Sequence, residues 1–339
     1  MSVFSWLTRR GRREIGSVAG FGKVPALGDF VRSPPRSDEM TAFEEWVTGA
    51  MALGETRRGA AWREDLEAAD TLAFLWGGPS SSKGRGMLAG VIKASHDAVR
   101  RAFPIVVCVP LPVAAFASSP HLAPLVLVEF FREAARAAGN AAHARSQAEF
   151  QLAVTGPRAP ALAGVSAASS TYSTWIKATR SRDLLSDLFA TDGAAQPEHA
   201  IHTIVDATHP FRGREAPPLS LGVRAPVGAH AETAAALWID LVRCAAGWSE
   251  TVPSFFWPLS GTTVLVQLGV EAPPSVLVDL WAPSAQSDAV CELHLAAGAA
   301  PRFVAPLPTG ASAALADPAS MLDSVLGGLA GEPPSRRSR

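Results

Sequence analysis

Three imidazoles and two carboxylates fall within twelve residues at Glu198-His199-Ala200-Ile201-His202-Thr203-Ile204-Val205-Asp206-Ala207-Thr208-His209, the densest set of metal-capable side chains in the chain. Ligation needs those donors on one side of the backbone. Ile201, Thr203, Ile204 and Val205 predict a strand, and strand alternation puts His199 and His202 on opposite faces. Only a helix would align the pair, so the reading is a strand with polar ends, with no metal and no cofactor. Gly164-Val165-Ser166-Ala167-Ala168 falls one glycine short of a nucleophile elbow, and Pro160-Ala161-Leu162-Ala163 before it is a poor strand. His202 or His209 could serve as its base, which leaves a serine- or metal-dependent hydrolase as the enzymatic alternative to a non-enzymatic protein.

The most specific stretch is Gly20-Phe21-Gly22-Lys23-Val24-Pro25-Ala26-Leu27-Gly28-Asp29-Phe30-Val31. Its glycines and proline define a strand end running into a shaped loop, because glycine reaches positive φ while Pro25 fixes its own φ and extends Val24. A phosphate-binding loop is excluded by spacing, since Ser17 and Val24 stand where glycine and Ser/Thr are required. A dinucleotide fingerprint fails at Pro25, which takes the third glycine position. Gly28 is expected in a glycine-favoured conformation. Lys23 and Asp29 are either a structural pair holding the loop, with Asp29 capping amides near Phe30, or side chains offered to a partner.

The segment Gly22-Lys23-Val24-Pro25-Ala26-Leu27-Gly28-Asp29-Phe30-Val31 resembles the N-terminal signature of the TagF family of type VI secretion-associated proteins, close to Gly-Lys-Leu-Pro-x-x-Gly-Asp-Phe-Val. A second stretch, Ser95-His96-Asp97-Ala98-Val99-Arg100-Arg101-Ala102-Phe103-Pro104-Ile105, is similar to the family pattern Ser-x-Asp-x-Val-Gly-Arg-x-Phe-Pro-Leu. Pro253-Ser254-Phe255-Phe256-Trp257 is a weaker third likeness. Ala26-Leu27 replaces the usual Ser-Arg pair, Arg100 stands where glycine is expected and Ala102 where an aromatic is common. The resemblance implies a cytoplasmic post-translational repressor of secretion-system assembly that binds a forkhead-associated-domain scaffold protein, with a passive scaffold as a further alternative. It singles out Gly22, Lys23, Pro25, Gly28, Asp29 and Phe30 in the signature loop, and Asp97, Arg101, Phe103 and Pro104 in the second motif. Asp97 with Arg100 and Arg101 reads either as charge pairing at a helix end or as an arginine patch for an acidic or phosphorylated partner.

Composition is consistent with that class. At 339 residues and 48% hydrophobic, the chain can bury a large core. A net charge of −1 argues against nucleic acid or an anionic membrane as partner, and Arg9-Arg10-Gly11-Arg12-Arg13 and Arg336, Arg337 and Arg339 read as solvated termini. Cys108, Cys244 and Cys291 lack metal or redox spacing and read as buried thiols. Val3 to Leu7 is too short for a signal segment, and no apolar run reaches the roughly twenty residues of a spanning helix, so a cytoplasmic protein without membrane insertion is expected.

The elements that must carry these motifs follow from periodicity. Ser37 caps a helix with Asp38 and Glu39 in its first turn and Met40, Phe43, Val47, Ala50 and Met51 on one face. Thr71 to Trp76, Met87 to Ile92 and Ile105 to Val109 read as buried strands. Leu122 to Glu149 predicts one or two helices interrupted near Gly139-Asn140, and Ala229 to Trp248 another ending near Gly247. Ser166 to Ser173 reads as loop, while Phe255 to Trp257, Thr263 to Gln267 and Val276 to Leu280 read as strands. The glycine-rich stretch 77–86 is a local elaboration. The expected fold class is α/β, a mixed β-sheet flanked by helices on both faces in a three-layer arrangement. It spans 18–283, with a signature part 18–150 and a second part 151–283. Residues 284–339 form an Ala/Pro/Ser-rich extension, partly disordered, with one short helix at Met321 to Leu329.

Overall fold

The structure is a computed structural model describing residues 15–77, 86–189, 197–214, 221–269, 272–282, 287, 289–293 and 303–331. Residues 78–85, most of the glycine-rich stretch 77–86, and both arginine-rich termini lie outside the described residues. In chain order the strands are β1 (Ala19–Gly22), β2 (Val31–Arg32), β3 (Leu72–Trp76), β4 (Gly86–Lys93), β5 (Ile105–Pro112), β6 (Gly222–Pro226), β7 (Phe255–Pro258), β8 (Thr263–Gln267) and β9 (Val290–Glu292). The helices are α1 (Asp38–Arg58), α2 (Ala61–Glu67), α3 (Ala123–Ala141), α4 (Gln147–Thr155), α5 (Val165–Ala178), α6 (Ser181–Leu188), α7 (Pro197–Thr208), α8 (Ala231–Ala246), α9 (Ser275–Trp281), α10 (Thr309–Ala316) and α11 (Leu322–Ala330).

Two compact units divide the chain, one of residues 1–115, 129–160 and 273–284, the other of 116–128, 161–272 and 285–339. Both are discontinuous in sequence, in place of sequential parts meeting at 150. In the first unit the strands run β2-β1-β5-β4-β3, every pair antiparallel. Register fixes its faces: Phe74 lies opposite Gly90, Gly90 opposite Cys108, and Cys108 opposite Ala19, so these four share one side. There Phe43 of α1 stacks on Phe74 with centroids 4.4 Å apart and meets Trp76 edge-on. On the other side Gly20 leaves space for Val154 of α4, whose side chain would stand 2.9 Å from an added Cβ. This unit is therefore three-layered, helix on sheet on helix, with Phe43, Phe74, Phe150 and Val154 fully buried.

The α1 capping forecast from sequence is realised, with Ser37 Oγ accepting from Met40 N at 3.2 Å and the five predicted face residues buried. The predicted interruption falls at 142–146, where Ser146 caps α4 by accepting from Glu149 N. Val276 to Leu280, read as a strand, is instead helix α9. Its apolar run is buried all round, Pro273 and Pro274 open its first turn, and Trp281 Nε1 donates to the Asp70 carbonyl at 3.1 Å, so tertiary packing overrides β-branched propensity.

In the second unit β7-β8-β6 are antiparallel and β9 pairs parallel with β6, which makes the sheet mixed and the fold α/β as expected. α8 is buried along most of its length and ends at Gly247 with φ 67°, the left-handed stop that glycine supplies. α10 and α11 occupy part of the C-terminal stretch. They pack on each other, with Gly328 so close to Ala311 that an added Cβ would lie 2.3 Å from its amide nitrogen.

Candidate functional site

The two motifs noted in the sequence meet in space within the first unit. β1 ends at Gly22, whose φ is 148° and whose added Cβ would stand 2.3 Å from the Pro104 carbonyl oxygen and 2.7 Å from Ile105 Cα. Only glycine permits β1 to pass that close to the start of β5. The chain then turns over Pro25 and Ala26, closed by Leu27 N donating to the Val24 carbonyl at 3.0 Å, with proline in the second turn position it favours. Three stitches bind this loop to the second motif: Ser95 Oγ to the Lys23 carbonyl at 2.8 Å, Ala98 N to the Leu27 carbonyl at 2.9 Å, and Arg101 Nη2 to the Gly28 carbonyl at 2.7 Å.

The second motif is a tight hairpin built around one carboxylate. Asp97 N donates to the Arg101 carbonyl, Arg100 N donates to the Asp97 carbonyl, and His96 bridges Ala102. Asp97 Oδ1 accepts the amides of Val99 (3.1 Å) and Arg101 (2.8 Å), while Oδ2 accepts Arg101 Nε (2.6 Å) and faces Lys23 Nζ at 3.2 Å. The Asp97 side chain is wholly buried. Burial pushes its carboxyl up, but the Arg101 amide, the Arg101 guanidinium and the Lys23 ammonium outweigh that and hold it at about 2. His96 Nδ1 donates to the Asp97 carbonyl (2.8 Å), and Nε2 accepts from Arg100 Nη1 (2.7 Å), so the ring is the neutral Nδ1–H tautomer. Beneath the turns Phe30 meets Phe103 edge-on at 4.9 Å and stacks on Phe21 at 6.1 Å, with Arg32 Cζ 4.2 Å above the Phe30 ring.

This arrangement corrects three readings. Lys23 pairs with Asp97 rather than with its loop neighbour Asp29, which is exposed and makes no hydrogen bond or ion pair among the described residues. Gly28 has no positive φ and open space around a hypothetical Cβ, so the glycine-restricted position in the loop is Gly22. Asp97, Arg100 and Arg101 sit on a hairpin turn and not at a helix end. Arg100, in the position where glycine was expected, has φ 66°, the left-handed region.

The enzymatic candidates are placed elsewhere. Glu198 to Thr208 lies in helix α7, because Ala200, Ile201, Ile204, Val205 and Thr208 recur at helical spacing against the core and outweigh their β-branched preference. That spacing and the Pro197-Glu198 start were the missed signal. The helix brings His199 and His202 to one side, where both contact the Phe303 ring. His202 Nε2 donates to the Ala305 carbonyl at 2.7 Å, and Asp206 Oδ1 accepts the amides of Val304 and Ala305. Among the described residues no group of three or more metal-capable side chains converges. Ser166, expected in a loop, is the second residue of α5 and follows a short 3-10 turn at Leu162–Gly164 instead of a strand, so the elbow context is missing. Packing of Val165, Trp175 and Ile176 against buried Leu122 and Tyr172 draws that serine-rich stretch into a helix.

Sequence reasoning missed a buried polar group in the second unit. Asp240 accepts from Tyr172 OH (3.1 Å) and Arg243 Nε (2.8 Å), and its Oδ1 lies 3.6 Å from His121 Nδ1. Burial lowers the His121 pKa, with Asp240 pulling the other way. Burial also raises the Cys244 thiol to about 12, so it is no ready nucleophile. Cys108 and Cys244 are buried as expected, and Cys291 is half-buried.

Residues 19–155, which contain every residue of the two-motif site, match the family model of the TagF N-terminal domain, type VI secretion system-associated. Residues 19–155 thus carry a TagF N-terminal domain. The crystal structure of PA0076 from Pseudomonas aeruginosa PAO1 is 25% identical and covers 43% of this chain, with a TM-score of 0.37. The likeness spans 64% of that protein's chain, just under two thirds. No curated protein matches the chain. The TagF domain thus comprises the first unit's sheet up to β5, with α1 to α4, and marks a type VI secretion-associated protein. Among the described residues no helix is long and apolar enough to cross a membrane.

Proposed function

We propose that this chain is a cytoplasmic repressor of type VI secretion assembly that works by binding a forkhead-associated-domain scaffold protein, without catalysis. The observation that carries the reading is the convergence of the signature loop and the second motif on one carboxylate, Asp97, which fixes both turns and leaves Pro25, Ala26, Asp29, Val99 and Arg100 on the outside. A charge network spent on holding two surface turns rigid suits recognition, because pre-ordered loops lose little entropy on binding. The identity of the scaffold as partner is supported by the motif resemblance. Calorimetric titration of the purified chain into the scaffold from the same organism tests the reading, together with secretion measured with and without the gene. Saturable binding and increased secretion on deletion are expected, and failure to bind any core secretion component would falsify the reading.

A further inference from the structure

Val99 is one of three large hydrophobic side chains strongly exposed among the described residues, at 67%, beside Leu152 and Val304. Its amide is bonded to Asp97 Oδ1, as that of Val304 is to Asp206 Oδ1, but it differs from the other two in its neighbour: the next residue, Arg100, is held in a left-handed conformation unfavourable for a residue with a side chain. The Arg100 guanidinium is clamped by His96 Nε2 instead of pairing with a carboxylate. Asp29, on the loop stitched to this turn through Leu27 and Gly28, presents an exposed carboxylate. Lys23 and Arg101 are already engaged by Asp97, so the fixed charges left to a partner are one cation and one anion on either side of an apolar tip.

We propose that the 97–101 turn is a docking knob: Val99 enters an apolar socket on a partner protein, Arg100 meets a carboxylate at the socket's rim, and Asp29 meets a basic or amide group opposite. The inference rests on the partner-binding reading above and adds to it which side chains touch the partner and what chemistry the partner must offer. A fixed, bidentate-capable guanidinium is the kind of group enriched at interface centres, and the exposed Val99 beside it adds apolar area for a partner to bury. The strain at Arg100 fits such a role, since a relaxed turn would not aim the two side chains in this way.

Full-length wild type, Val99→Asp, Arg100→Lys, Arg100→Glu and, as a control apolar site, Leu152→Asp are titrated into the scaffold and compared for repression of secretion in cells. Melting temperatures confirm that each variant is folded. Val99→Asp and Arg100→Glu should each weaken binding at least about tenfold, Arg100→Lys, which keeps the charge but loses the planar fork, should fall between wild type and Arg100→Glu, and Leu152→Asp should stay within about twofold. Wild-type binding that survives both Val99→Asp and Arg100→Glu overturns the knob and leaves the functional reading standing. Absence of wild-type scaffold binding with repression still lost in Val99→Asp retires the scaffold and keeps the knob. A wild-type chain that neither binds nor represses overturns both.

Discussion

Replacing Asp97 by asparagine is the sharpest test of how the two motifs are held together. Asparagine keeps an oxygen for the amides of Val99 and Arg101 but removes the charge facing Lys23 Nζ at 3.2 Å and Arg101 Nε at 2.6 Å. At an effective dielectric of about 20, a pair at 3.2 Å is worth about 5 kcal/mol before desolvation. Removing one member of a buried pair typically costs about 3–5 kcal/mol. The Arg101 side chain is 61% exposed and can turn to water, whereas Lys23 at 17% is largely confined, which places Asp97→Asn near the lower bound, about 3 kcal/mol. Hydrogen exchange of peptides covering 95–103 reads this as local opening, about a hundredfold faster in the variant. The carboxyl's folded value of about 2 lies below the ordinary 3.8, so its stabilisation is complete above pH 3.8 and is lost as pH falls towards 2. The gap between wild type and Asp97→Asn should close over that window. Exchange less than about fivefold faster at neutral pH, or a Lys23→Met effect of the same size in both backgrounds, would refute the claim that Asp97 and Lys23 act as a pair.

Two further perturbations separate the corrected reading of the loop from the one its sequence invites. Gly22→Ala must place a methyl 2.3 Å from the Pro104 carbonyl at φ 148° and should cost about 2–4 kcal/mol, whereas Gly28→Ala meets nothing within 4 Å and should stay within about 0.5 kcal/mol; a reversed order in thermal melts refutes the placement. His121 is held neutral by burial, so the unfolded chain binds its proton more readily: stability should fall as pH drops below about 6.5, and His121→Gln should flatten that slope in melting curves, while an unchanged slope would show that another group dominates.

What was legible in the sequence was local. The Ser37 cap, the apolar face of α1, the stop at Gly247 and the strands β3 to β5 each depend on residues within one turn or one run of their neighbours. Short apolar segments were not legible in the same way. Val276 to Leu280 and Ile201 to Val205 are rich in β-branched residues, yet both are helical, because burial on several sides decides between strand and helix and that burial comes from distant elements. At the site, the residues of the two motifs do meet in space, but not in the pairs the sequence suggests. Lys23 has an acid six positions away, and the carboxylate it meets is seventy-four positions away, brought there by the antiparallel pairing of β1 with β5. The group at His121, Tyr172 and Asp240 was invisible for the same reason, since α3's approach, α5 and α8 contribute one residue each. Arg100 carried a usable hint: a position where the family keeps glycine is one where positive φ is required, and Arg100 has it.

The stitches between the loop and the hairpin also set a timetable. Arg101 reaches back 73 residues to the Gly28 carbonyl, and Ser95 reaches back 72 to that of Lys23. On a ribosome adding about 5–20 residues each second, Lys23 and Gly28 therefore leave the exit tunnel about 4–15 seconds before their partners. Throughout that interval Phe21 and Phe30 lack the Phe103 ring that covers them in the finished unit, and Lys23 lacks its counter-ion. Newborn chains of this protein thus pass through a stage in which the signature is synthesised but shapeless. A premature stop between Val31 and Ser95 would release a polypeptide that contains the whole first motif without the bonds from Ser95 and Arg101 that fix it.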